Sequence, residues 1–308
     1  MNEPWELSCY TANLVAYLAP EAPAVIEDFA DAVRLSVRTD PPEGGTAFAH
    51  HTRVDIGADG HGLAYRGATG WTDTRTALEA ELRRHGRVLA IGNTRHIPWS
   101  PSHEQGETPH WLLIHGHADG KWSVRDDFEA LTPHGEQTPW AGLLDDEELR
   151  RLLTPLSLLT PEAANRDRYA LGRPVDLPDP AGHRWLERAA LPPQPDDGAL
   201  EGIWVHGTVP VLRHVADRIC PDPAALDRHA DDLWTAARHQ RFLLAARPQE
   251  PEATAEAVAA WGELPRAIRF ALASAERGRP RPALVEKALA RVIDAAGRLE
   301  PQGEHHDA

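Results

Sequence analysis

The sequence predicts an α+β fold: an N-terminal helix packed on an antiparallel sheet, followed by a largely helical portion. Three observations predict it. "CYTANLVAYL", residues 9–18, sets Leu14, Val15 and Leu18 at helical spacing just after Ser8. "RVLAIGN" and "HWLLIHG" are short apolar runs bounded by turn residues, as strands are. From residue 209 to 298, apolar residues recur at i, i+3 and i+4 between Pro and Gly boundaries.

The elements follow in order. Pro4 and Ser8 suit a helix entrance, so Cys9 stands near the start of the first helix. A second helix is expected over 22–37 and a third over 75–86, stopped by Gly86. Residues 39–73, rich in Gly, Asp and Thr, read as short strands and loops. The strand from Arg87 leads into an irregular segment holding "IPWSP", and "HWLLIHG", the turn "HADGK" and "WSVRD" form a hairpin over 110–126. Residues 160–200 read as linker, and helices are expected over 209–218, 223–247, 252–276 and 281–298. The domain division is 1–160 for the sheet-bearing domain, 161–300 for a mostly helical domain that closes over it, and 301–308 for a disordered tail.

Composition narrows the function classes. A formal charge of −15 over 308 residues argues against nucleic acid as a partner, since a phosphate-backbone binder needs basic surface. No long apolar run and no charged leader with an apolar core are present, which predicts a cytoplasmic protein with no membrane partner. The two cysteines, Cys9 and Cys220, have no CxxC spacing, so neither a disulfide scaffold nor a cysteine-rich metal site is expected. Cys220, before Pro221, reads as a buried structural thiol. "ERGRPRP", residues 276–282, is the densest basic stretch and reads as a solvated helix end.

The segment "HWLLIHGHADGKWSVRDD", residues 110–127, carries three histidines. In a strand, alternate side chains share a face, so His110 and His115 point oppositely and do not converge on a metal. His117 falls in the turn. His110 begins an apolar strand, where a polar ring needs a partner. A hairpin brings its outer ends together, so Asp126 is in reach of His110 and would fix its tautomer, while Asp127 faces the other way. Cys9, at a helix start, has the environment that favours a thiolate. Cys, then strand His, then Asp is the chain order of papain-like enzymes.

The stretch "RVLAIGNTRHIPWSPSHEQGETPHWLLIHGHADGKWSVRDDF" resembles the core of the butirosin biosynthesis protein H family, as does "SCYTANLVAYL" around its N-terminal cysteine. The resemblance implies a papain-like cysteine protease fold related to bacteriocin-processing peptidases, with Cys9 as nucleophile, His110 as base and Asp126 as its orienter. It also implies acyl transfer in antibiotic or other natural-product biosynthesis, from the phosphopantetheine thioester of an acyl carrier protein to a small-molecule amine, with no bound cofactor. The chain departs from the pattern in two places: Asn93 stands where an Asp often does, and no Gln precedes Cys9. The oxyanion role then falls to the Cys9 backbone, with Asn2 or Asn93 as side-chain candidates, and Tyr10, His96 and Trp99 are candidate cleft residues. Two rivals stay open: a cysteine peptidase or thioester-releasing hydrolase or cyclase on the same triad, and a non-catalytic carrier-protein or ligand-binding module.

Overall fold

Ser8 starts the first helix, α1 (Cys9–Leu18), through a reciprocal box: its Oγ accepts the Thr11 amide at 3.3 Å and Thr11 Oγ1 accepts the Ser8 amide at 2.9 Å. The computed structural model describes residues 6–57, 59–132, 135–191 and 201–299. Asn2 and the tail 301–308 lie outside the described residues.

The helix expected over 22–37 is shorter. α2 (Val25–Ala32) passes directly into β1 (Val33–Arg38), where Val33, Leu35 and Val37 are buried in alternation with Arg34, Ser36 and Arg38. That two-residue period, with β-branched valines, overrides helix continuation. β2 (Ala47–His51) and β3 (His61–Ala68) follow, then α3 (Trp71–His85). Gly86 closes α3 in the left-handed region at φ 72°.

β4 (Val88–Asn93), β5 (Pro109–Ala118) and β6 (Lys121–Asp126) form the centre of the molecule. Asp119 and Gly120 turn β5 into β6 with φ of 51° and 70°, the geometry a two-residue hairpin requires. Leu113 pairs with Arg125, and a register shift follows at residue 115. Continued toward the open end, that register sets Asp126 opposite Leu112 and diagonal to His110 on one face. β7 (Ala130–Thr132) and β8 (Gly135–Gln137) make a small ribbon, and β9 (Trp140–Leu144) edges the main sheet. α4 (Asp146–Leu152) and α5 (Pro161–Tyr169) follow, each with a side-chain N-cap.

The linker expected over 160–200 contains α5 and β10 (His183–Ala190), and β10 sits inside the main sheet, whose order is β3-β10-β4-β5-β6-β9. The boundary at residue 160 therefore does not separate two bodies, since a strand from beyond it completes the sheet. Polar residues hid this strand: His183 and Arg184 are both buried, the latter ion-paired with Asp167 at 2.6 Å. β11 (Trp204–His206) pairs with β1 in a second sheet of order β11-β1-β2. The remainder is helical: α6 (Thr208–Arg218), α7 (Pro223–Arg228), α8 (Ala230–Ala246), α9 (Pro251–Glu276) and α10 (Pro282–Leu299). The single helix expected over 223–247 is thus two, broken at His229.

The sheets organise the main apolar clusters of the described residues. On one face of the main sheet, Leu14 and Leu18 of α1 pack on Leu89, Ile91, Trp111 and Leu113. On the other, Leu78 of α3 and Leu149 and Leu152 of α4 pack on Val88, Ala90, Leu112 and Ile114. The second sheet covers the C-terminal helices through Leu35, Val37 and Phe48. Each fully buried leucine in these layers contributes about 1.5–3 kcal/mol from burial. The described structure is therefore α+β with antiparallel sheets and an N-terminal helix, and no described helix is long and apolar enough to cross a membrane.

Candidate active site

α1 meets the ends of β5 and β6 at its N-terminus, where Cys9, His110 and Asp126 come together. His110 Nε2 lies 2.8 Å from Asp126 Oδ2, and both side chains are buried. Cys9 lines the same cleft as the ring and helps to raise its pKa. With Nε2 committed to Asp126, Nδ1 is the nitrogen left to face the thiol. Burial alone would lower the His110 pKa, but the Asp126 charge, Cys9 and hydrogen bonds to both outweigh it and push the imidazole up to about 10. It is therefore an imidazolium at neutral pH.

Asp126 is held as a carboxylate by a dense set of donors. Trp99 Nε1 donates to Oδ2 at 2.8 Å and Gln137 Nε2 at 2.9 Å, while Asn13 Nδ2 and the Phe128 amide reach Oδ1 at 3.0 and 3.1 Å. Burial would raise its pKa, yet the His110 charge and the bonds from His110, Asn13 and Trp99 hold it below the usual carboxylate range. Asp127 does not compete, because its carboxylate is engaged by Arg125.

Asn13 welds helix to sheet. One turn beyond Cys9 and fully buried, it donates to the carbonyls of Cys9 (3.1 Å) and Trp111 (2.9 Å) and to Asp126, and it accepts the Asp127 amide at 3.2 Å. At the helix entrance, Ser8 takes the Thr11 amide with its Oγ and the Ala12 amide with its carbonyl. Cys9 and Tyr10 open α1, so their amides belong to the helix start, where backbone N–H groups point outward along the axis.

Cys9 and His110 line a cleft with Tyr10, Gln137, Arg166 and Trp234. Arg166 is fixed by Asp232 at 2.8 Å and Asp231 at 3.2 Å. Trp234, from α8, crosses Phe128 edge to face at 6.0 Å, so the C-terminal helices supply one wall. Behind α1, His239 Nε2 meets Thr11 Oγ1 at 2.9 Å and so braces the capping box from α8.

The remaining expected residues divide between the cleft and its surroundings. Trp99 does not line the cleft; it stacks on Trp140 at 3.9 Å and donates to Asp126. Asn93 is wholly buried and does not line the cleft, its Oδ1 accepting the Arg95 amide at 3.0 Å. His96 is half-buried outside the cleft. Tyr10 lines the cleft, with its hydroxyl donated to Asp167 at 2.9 Å. His117 stacks on Trp122 at 4.0 Å and His115 is exposed, so the dense histidine segment does not assemble around His110. Cys220 is buried with its thiol pushed up to about 12 by burial.

Sequence reasoning missed Gln137, Asn13, Arg166 and Trp234. Asn13 alone carried a signal, a polar residue on the apolar side of α1. A half-buried thiol, an imidazolium oriented by a carboxylate, and the backbone amides of a helix start are the components of covalent chemistry at a carbonyl. No protein-family model matches the chain, and no curated protein matches it in sequence.

Proposed function

We propose that the chain is a cysteine-dependent acyltransferase of papain-like architecture that carries an acyl group from a pantetheine-type thioester to an amine through a Cys9 acyl-enzyme. The observation that carries this reading is the linked array of Cys9, His110 and Asp126, with Asp126 held by four further donors. The motif resemblance to the butirosin biosynthesis protein H family supports the transfer chemistry, and with it an acyl carrier protein as donor and a natural-product amine as acceptor.

Cys9 reacts as a thiolate opposite the His110 imidazolium. The sulfur attacks the thioester carbonyl, forming the C–Sγ bond while the oxyanion is held by the Cys9 and Tyr10 amides. The C–S bond to the donor breaks, and the departing thiolate takes the His110 proton. An amine then attacks the acyl-enzyme, the neutral imidazole accepts its proton, and the Cys9 thiolate leaves. The net change is thioester plus amine to amide plus thiol. Asp126 keeps Nε2 protonated and the ring aimed throughout.

Water in place of the amine gives the hydrolase reading with the same groups. Following thiol release and product from an acyl-pantetheine, with and without a panel of amines, separates the two. Transfer predicts one equivalent of thiol released without amine and amide-forming turnover with it. Sustained release of free acid at the same rate in both conditions would overturn transfer.

A further inference from the structure

Beyond the cleft wall that α8 provides, a second concavity opens between α8 and α9. Its floor is Trp234 and Trp261, and its rim carries Arg238 and Arg241 from α8 and Arg266 and Arg269 from α9. Each pair is three residues apart and so shares a helix face. Gathering four guanidinium groups in one hollow of a chain with net charge −15 is electrostatically costly unless an anion joins them.

One carboxylate is present: Glu6 meets Arg241 at 2.8 Å. Arg238, Arg266 and Arg269 make no ion pair among the described residues. Arg241, which lines the hollow, has its Nε buried with no hydrogen-bond partner among the described residues. Burial pulls Arg238 down to about 10, and the Arg241 charge adds to this while Glu6 and Glu129 offset only part of it.

The hollow adjoins the cleft. Thr132 and Trp234 line both, and Arg238 donates to the carbonyl of Leu7, two residues before Cys9, at 2.9 Å and to that of Glu129 at 2.8 Å. Guanidinium forks match phosphate oxygens in paired hydrogen bonds, and half-buried Trp234, with Arg238 over its ring at 4.9 Å, lies on the wall the hollow shares with the cleft.

We propose that this groove seats a phosphate group of the acyl donor, so that the arm beyond it reaches Cys9 along the shared wall. The inference rests on the acyl-transfer reading, but its ligand is defined by phosphate chemistry. The test is calorimetric titration of the intact protein with 4′-phosphopantetheine, pantetheine and inorganic phosphate, repeated on the double variant Arg266→Ala/Arg269→Ala. These two arginines are exposed and lie outside the cleft. Phosphopantetheine should bind at least about tenfold more tightly than pantetheine or phosphate, and that preference should disappear in the variant. Equal affinity with and without the phosphate, equal affinity for inorganic phosphate, or an unchanged preference in the variant would each overturn the proposal. Binding needs no thioester, so a phosphate preference without acylation of Cys9 would sustain the groove and remove the acyl-transfer reading. Equal acylation of Cys9 from phosphorylated and unphosphorylated donors would do the reverse.

Discussion

Asp126 carries the residue-scale argument, because His110, Trp99, Gln137, Asn13 and the Phe128 amide all spend a donor on it. Asp126→Ala strands those donors in a buried site and should cost about 3–5 kcal/mol in denaturant unfolding, the range for breaking a buried charged pair. A loss within about 0.5 kcal/mol, typical of surface changes, would contradict the network. Asp126→Asn keeps the volume and removes the charge. The His110 titration, followed by ring NMR, should then fall below about 10, and an unmoved titration would show that Asp126 does not set it. Cys9, His110 and Asp126 were legible in the sequence because a helix start and a hairpin are local geometries. Trp99 and Gln137 were not, since their approach to Asp126 depends on how the irregular segment and the β7–β8 ribbon fold back.

At the scale of elements, the N-terminus of α1 is the decisive piece. Its capping box is built from Ser8 and Thr11, and His239 of α8 braces it through Thr11 Oγ1. Thr11→Val keeps the shape and removes both links. It should cost about 1–2 kcal/mol in thermal unfolding and slow the alkylation of Cys9 by iodoacetamide, as the helix start loosens. Unchanged stability and reactivity would show that the entrance is fixed by α1 packing alone. The hairpin, α3 and the three long C-terminal helices were readable from period and turn chemistry. β1 and β10 were not: an apolar run after α2 fits a helix or a strand until its partner is known, and the buried Arg184 of β10 reads as surface without Asp167.

Across the whole molecule, buried histidines of opposite behaviour shape the response to pH. Burial pulls His50 down to about 4 and lowers His51 and His239. The unfolded chain takes up protons near pH 6.5 that the folded one refuses, so stability falls as pH drops from about 6.5 toward 4. His110 is raised, so its contribution is complete below about 6.5 and is lost as pH rises through about 10. Melting temperature should therefore fall on both sides of neutrality, with the alkaline fall reduced in His110→Gln; an unaltered alkaline fall would place its origin elsewhere. The two-domain division could not survive at this scale, because the chain beyond residue 160 returns to complete the main sheet and then walls the cleft. The arginine groove was equally hidden, its four members being scattered through residues 238–269 outside the dense basic stretch. Whether Cys9 carries an acyl group can be read by intact-protein mass spectrometry after exposure to a panel of acyl-pantetheine thioesters. A mass gain equal to the acyl group, mapped to Cys9 and abolished in a folded Cys9→Ala, is the predicted result. A wild type whose mass stays unchanged with every donor while its Cys9 remains open to alkylation, or a gain that persists in Cys9→Ala, would contradict it.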